Sequence, residues 1–280
     1  MDIISGRPEI VVGLVDGPVA LNHPDLAANG AREIPGRLGG KCAQASSAAC
    51  VHGTFVAGIL FAKRGSPAPA ICPDCTLLVR PIFGEAIAAT EQVPSAKPAE
   101  LAAAIAETVD AGARVVNLSL ALAQLTLEDD CGLIQALDYA SRRDVIVVAA
   151  SGNQGTVGSS TVTRHPSVVP VVACDLHGKP LGQSNLGHTI GWRGLMAPGE
   201  RITSLGVEGR PRTFGGTSAA APFVTGAIAL LWSRFPRAKA VEIRLAVMQA
   251  NRTRRTTVVP PLLDAWAAHQ LMTSRYLGGQ

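Results

Sequence analysis

Apolar residues along this chain fall in short unbroken runs, separated by amphipathic stretches. The first run, residues 9–15 (EIVVGLV), closes on Asp16. A continuous run of that length predicts a strand buried on both faces, as a parallel sheet requires. Further strands are expected at Leu77–Ile82, Arg114–Leu118, Val145–Ala150 and Val168–Ala173. Helices are expected at His52–Ala62, Pro98–Ala111, Asp129–Arg143 and Thr217–Trp232, with two more near Ala238–Ala250 and Pro261–Leu271. The second of these has proline at its start and Gly112 just past its end, the usual punctuation of a helix. Gly30–Val51 and Ser66–Pro73 read as loops.

Strand and helix therefore alternate. That pattern predicts an α/β fold of three layers, a mostly parallel central sheet with helices on both faces. Functional groups of such sheets gather at the carboxyl ends of the strands. Asp16, Ser119 and Gly152–Asn153 stand at such ends. No linker or internal repeat breaks the pattern, so residues 1–280 are expected to form a single domain.

Composition narrows the function. Hydrophobic residues make up 47% of the 280 and charged residues 16%, which marks a globular chain. The net charge is +4, and the only dense basic cluster is Arg252, Arg254 and Arg255. With aromatics at 4%, the chain lacks the basic stripe and stacking platform of a nucleic-acid binder. No segment has the length of a membrane span. The first residues lack a basic region followed by an apolar one, so no signal peptide is expected and the cytoplasm is the expected location. The cysteines are Cys42, Cys50, Cys72, Cys75, Cys131 and Cys174. Their spacing is poor for zinc, and free thiols are expected in a reducing compartment. A disulfide within the first four would require an oxidising one.

Acyl transfer by a serine needs a hydroxyl nucleophile, a base, a group that orients the base, and donors for the oxyanion. Ser218 follows two glycines and opens a long apolar helix, where the helix dipole and its own N–H favour developing negative charge. The plainer alternative is a helix cap, by Thr217 or Ser218. His52 lies in VHGTFVAGIL, among small neighbours and before an apolar helix; it too suits a cap. Asp16 ends a buried strand before Gly-Pro, suited to fix an imidazole tautomer or simply to form a turn. Asn153 in VVAASGNQG suits an oxyanion donor or an asparagine turn.

The order Asp, His, Asn loop, Ser resembles that of the subtilisin-like serine proteases. The local words agree. VDGPVALNHPDL resembles the family's Asp segment, HGTFVAGIL its HGTHVAG motif, ASGNQG its oxyanion segment, and GGTSAAAPFVTG its GTSMAxPxVxG motif. The resemblance spans roughly residues 9 to 250. It implies a triad of Asp16, His52 and Ser218, with Asn153 and the Ser218 N–H holding the oxyanion. It also implies a substrate-binding set of Ser119, Leu120, Ala121, Gly152, Arg164 and Thr217, a peptide or protein substrate, and no cofactor. The family's long calcium loop is absent, since the helix after His52 runs directly into KRGSPAPAICPDC, and Asp25 as a lone carboxylate makes no calcium site, so no metal is expected.

There are departures. Phe55 replaces a second histidine, and Ala219 a methionine. Ala121 and Leu122 replace the glycines of the family's SLGG and would narrow the cleft. Arg164 aligns near the base of the specificity pocket; pointing inward it would favour an acidic residue before the cut, pointing outward it would be a solvated surface residue. VDGP, the segment LLVRPIF and the lack of a recognisable prodomain resemble most the bacterial cyanobactin-type peptide-maturation proteases. Some of those cleave precursors and some macrocyclise them behind an extra helical insertion. Hydrolysis is favoured here because ligation needs water excluded, and the Asp16-to-His52 interval is short. A transpeptidase using the same triad, a silent binding module on the protease fold and a cysteine-based zinc regulator are the alternatives.

Overall fold

The computed structural model describes residues 4–26, 30–35, 41–84, 97–120, 130–250 and 258–277. Seven strands form one parallel sheet in the order β2-β3-β1-β4-β5-β6-β7. They are β1 (Val11–Asp16), β2 (Arg32–Glu33), β3 (Thr76–Pro81), β4 (Val115–Leu118), β5 (Ile146–Ala150), β6 (Val168–Cys174) and β7 (Leu195–Pro198). The α/β expectation therefore stands. Antiparallel β8 (Ile202–Ser204) and β9 (Arg212–Phe214) make a separate hairpin.

The core lies on both faces of the sheet because the strands are apolar on both. Val12, Leu14, Val148 and Val171 pack with α1 (Ala48–Phe61) and α6 (Thr217–Arg234) on one side. Leu78, Val116, Leu118 and Val147 pack with α2 (Pro98–Asp110) and α3 (Asp130–Arg142) on the other. The short α4 (Thr161–Arg164) and α5 (His188–Arg193) flank β6, and α7 (Ala240–Gln249) and α8 (Ala265–Leu277) follow α6. Trp232 is fully buried; its Nε1–H donates to Ala238 O at 2.8 Å and the Arg114 guanidinium stacks over its ring. The free edge of β7 is closed by a following segment, through Met196 N–H to Pro261 O and Leu263 N–H to Met196 O. No helix among the described residues is long and apolar enough to cross a membrane.

Several boundaries differ from the sequence reading. The first strand runs two residues further in, so Asp16 is its last member rather than the residue after it. The first helix starts at Ala48, four residues before His52, inside the stretch read as loop; Ser47 occupies its N-cap position. His52 therefore sits in the second turn and caps nothing. Cys42 is disulfide-bonded to Cys50, which corrects the expectation of free thiols. Cys72, Cys75 and Cys174 are buried free thiols, and Cys131 is a free thiol.

Candidate active site

Register brings the site together. Val15 pairs with Leu118 and Leu118 with Ala149, so the carboxyl ends of β1, β4 and β5 finish side by side. The sheet also changes winding direction at β1, which has β3 on one flank and β4 on the other. A crevice at such a switch point is where open α/β sheets hold their ligands.

At the end of β1, Asp16 is completely buried. Its Oδ1 accepts from Gly17 N–H at 2.6 Å and from His52 Nδ1–H at 2.7 Å. A carboxylate only accepts, so Nδ1 carries the imidazole proton and Nε2 is the basic nitrogen. Two glycines make this approach possible. A Cβ on Gly53 would lie 2.4 Å from Gly17 O, and one on Gly17 would lie 2.0 Å from Ala49 O. Burial works against the imidazolium, but the Asp16 charge and its hydrogen bond outweigh that. The His52 pKa is therefore raised above the ordinary imidazole value.

Ser218 lies in the first turn of α6, as its second residue. Neither Thr217 nor Ser218 caps that helix: Gly216 holds the N-cap position, and no side chain bonds there. Thr217 instead donates its N–H and its Oγ–H to Asn153 Oδ1, at 2.9 and 3.0 Å. With Oδ1 engaged twice, the Nδ2 of the exposed Asn153 is a donor with no partner among the described residues. The Ser218 N–H, in a first turn that lacks intrahelical acceptors, has none among them either. Gly152 N–H donates to Thr217 Oγ1 at 3.2 Å, locking the two loops together.

Gly216 permits that contact. Its φ is 108°, and a Cβ there would lie 2.9 Å from Asn153 Oδ1. Gly216→Ala is expected to destabilise the fold by about 1–3 kcal/mol through backbone strain. It should also slow turnover, because the asparagine must move aside. Thermal unfolding and kcat, measured on the same sample, check both effects.

Of the residues read as substrate-binding, Leu120 and Gly152 line a cavity of about 60 Å³, together with Leu101, Leu118, Ala150 and Val162. Arg164 does not. The four-residue α4 leaves it exposed, with its guanidinium turned toward Thr161 Oγ1, so the inward-pointing reading is corrected. Ser119 is buried and bonds Ser218 O through its hydroxyl. Ala121 lies outside the described residues. Sequence reasoning missed Asn185, whose Oδ1 accepts from Gln154 N–H, Thr156 N–H and Thr156 Oγ–H and so pins the loop after Asn153. Phe214 and Gly215, which immediately precede Gly216, border a separate open trough of about 570 Å³. Phe55, in the place of the family's second histidine, packs edge-on against Phe214 at 4.9 Å.

A family model described as the subtilase family matches residues 7–264. The chain belongs to the subtilase family of serine peptidases. This subtilase is 33% identical over 203 residues to the thermophilic serine proteinase of Bacillus sp. strain AK1, a match covering 71% of this chain and 46% of that one. It therefore spans less than half the length of that relative. Among solved structures it resembles the protease domain of PatA, with a TM-score of 0.89, 30% identity and coverage of 98% and 99% of the two chains. It also resembles the prenylagaramide maturation protease PagA, with a TM-score of 0.82, 28% identity and coverage of 96% and 95%.

Proposed function

We propose that this subtilase is a serine endopeptidase, acting as one domain, that trims a ribosomally made precursor peptide. Ser218 is the nucleophile, His52 the general base and Asp16 the acid that orients it. One observation carries the reading: a fully buried Asp16 bonded at 2.7 Å to a His52 whose other nitrogen is basic. Ser218 Oγ attacks the peptide carbonyl as His52 Nε2 takes its proton. Asn153 Nδ2 and the Ser218 N–H receive the oxyanion, a role their freedom from other acceptors supports. The imidazolium, stabilised by Asp16, then protonates the departing amine. Water, activated by His52 in the same way, releases the acyl group.

The cavity at Leu120 and Gly152 takes the side chain before the cut, and the trough beyond Phe214 takes the departing segment. The likeness to a maturation protease supports a precursor peptide as substrate. Hydrolysis is preferred to ligation because, among the described residues, no helix stands between Asp16 and Ala48 to cover an acyl-enzyme. The test is a peptide library incubated with the protein and read by mass spectrometry. Linear fragments, each pair summing to the substrate plus one water, are expected. A product lighter than its hydrolytic counterpart by one water would make the protein a transpeptidase instead.

Asn153→Ala is expected to lower kcat by about 10²–10³ with little change in KM, since its amide is needed only as charge develops on the oxygen. Steady-state kinetics on one cleaved peptide measure the split.

A further inference from the structure

Ser218 is the second residue of α6, and Pro222 lies inside the same helix. In an α-helix the carbonyl of one residue accepts from the N–H four residues on. For Ser218 that residue is Pro222, which has no N–H and whose ring crowds the carbonyl it faces. The nucleophile's own carbonyl is therefore denied its helical partner in a buried first turn, where an unpaired acceptor is costly.

The missing bond comes from the sheet. Ser119, at the carboxyl end of β4, donates its hydroxyl proton to Ser218 O at 3.0 Å. That hydroxyl in turn accepts from Asn117 Nδ2 at 2.7 Å. Asn117 is fully buried in β4, and its Oδ1 accepts from Thr225 Oγ–H at 2.8 Å. Thr225 lies seven residues beyond Ser218, two turns along the same face of α6. The chain of bonds thus leaves the helix at Thr225, crosses β4, and returns to the helix at Ser218. Each link has one defined direction: Asn117 offers its amide to Ser119, so the serine proton points at Ser218 O and nowhere else.

We infer that Ser119, Asn117 and Thr225 are positioning residues that hold the first turn of α6 at the height its nucleophile needs, by replacing the hydrogen bond that Pro222 removes. The inference rests on Ser218 as nucleophile. It gives Ser119 a side-chain role distinct from any backbone contact with substrate. It also explains the amide and hydroxyl at Asn117 and Ser119, set in an otherwise apolar run at the sheet's end.

The test is a double-mutant cycle of Ser119→Ala and Pro222→Ala, read as kcat and KM on a cleaved peptide and as the rate of labelling by a fluorophosphonate probe. Ser119→Ala alone is expected to lower kcat and the labelling rate by about 10–50-fold with KM nearly unchanged. In the Pro222→Ala background the alanine N–H can serve Ser218 O, and the same change is expected to cost less than about threefold. Thermal unfolding of all four proteins accompanies the kinetics. Ser119→Cys, which keeps a weaker donor, should fall between serine and alanine, and replaces Ser119→Ala in the cycle if that variant does not fold. Equal losses in both backgrounds, or no loss in either, overturn the inference while leaving Ser218 as nucleophile. A wild type that the probe does not label overturns both.

Discussion

Replacing Ser218 by alanine is expected to lower kcat on a cleaved peptide by about 10⁶-fold while the protein stays folded and binds substrate with nearly unchanged affinity. The size follows from the cooperation of the three residues. Without the hydroxyl there is no acyl-enzyme, and His52 and Asp16 have nothing to activate except water in an unsuited position. The oxyanion donors remain, so a residual rate of about 10³–10⁴ over uncatalysed hydrolysis should persist. Stability should barely change. Ser218 is only part-buried, and the removed Oγ neither caps α6 nor bonds any described residue. Turnover measured over days with high enzyme, beside wild type, reads both rates.

The second large effect concerns Asp16. Asp16→Asn keeps the shape but replaces Oδ1, an acceptor from both His52 Nδ1–H and Gly17 N–H, with an amide that can present a donor to the imidazole. The wrong tautomer then places a proton on Nε2, and kcat is expected to fall by about 10⁴-fold. The pH profile should move as well. In the wild type the acid side of the profile marks His52 losing its proton, at a pKa above the ordinary imidazole value. The Asp16 charge and hydrogen bond cause that elevation, against the opposing effect of burial. In the variant only burial remains, so the acid limb should shift to lower pH. The same linkage acts on stability. A folded-state pKa raised above the unfolded value stabilises the protein fully below the unfolded pKa, and that contribution is lost as pH rises through the folded one. Asp16→Asn should therefore cost more stability on the acid side of that window than above it. An acid limb left in place would mean that another group controls the profile.

Parts of this account were legible in the residues alone. Buried parallel strands announce themselves as continuous apolar runs, which is why β3, β4, β5 and β6 fell within a residue or two of their predicted limits. Asp16, His52, Asn153 and Ser218 stood out because each sits where an apolar segment meets glycine, the junction that lets one backbone approach another. The first turn of α1 was hidden: its alanines, Cys50 and Val51 follow a Ser/Ala-rich stretch with no side-chain cap, and the disulfide to Cys42 is a tertiary fact. β7, β8 and β9 are three or four residues long and are set by pairing, not by local pattern. Sequence alignment placed Arg164 near a pocket but carried no side-chain direction, and the single turn of α4 swung it out. Asn117 did leave a trace, a polar residue inside an apolar strand, which demands a buried partner. That the partners would be Ser119 and Thr225 depends on how α6 crosses the sheet.

The central claim, that Ser218 is an activated nucleophile, is tested most directly by intact-mass analysis after exposure to a fluorophosphonate probe, comparing wild type with Ser218→Ala. The account predicts a single adduct on the wild type, faster as pH rises through the His52 pKa, and none on the variant. A folded wild type that stays unmodified, or a variant that is labelled equally, would contradict it.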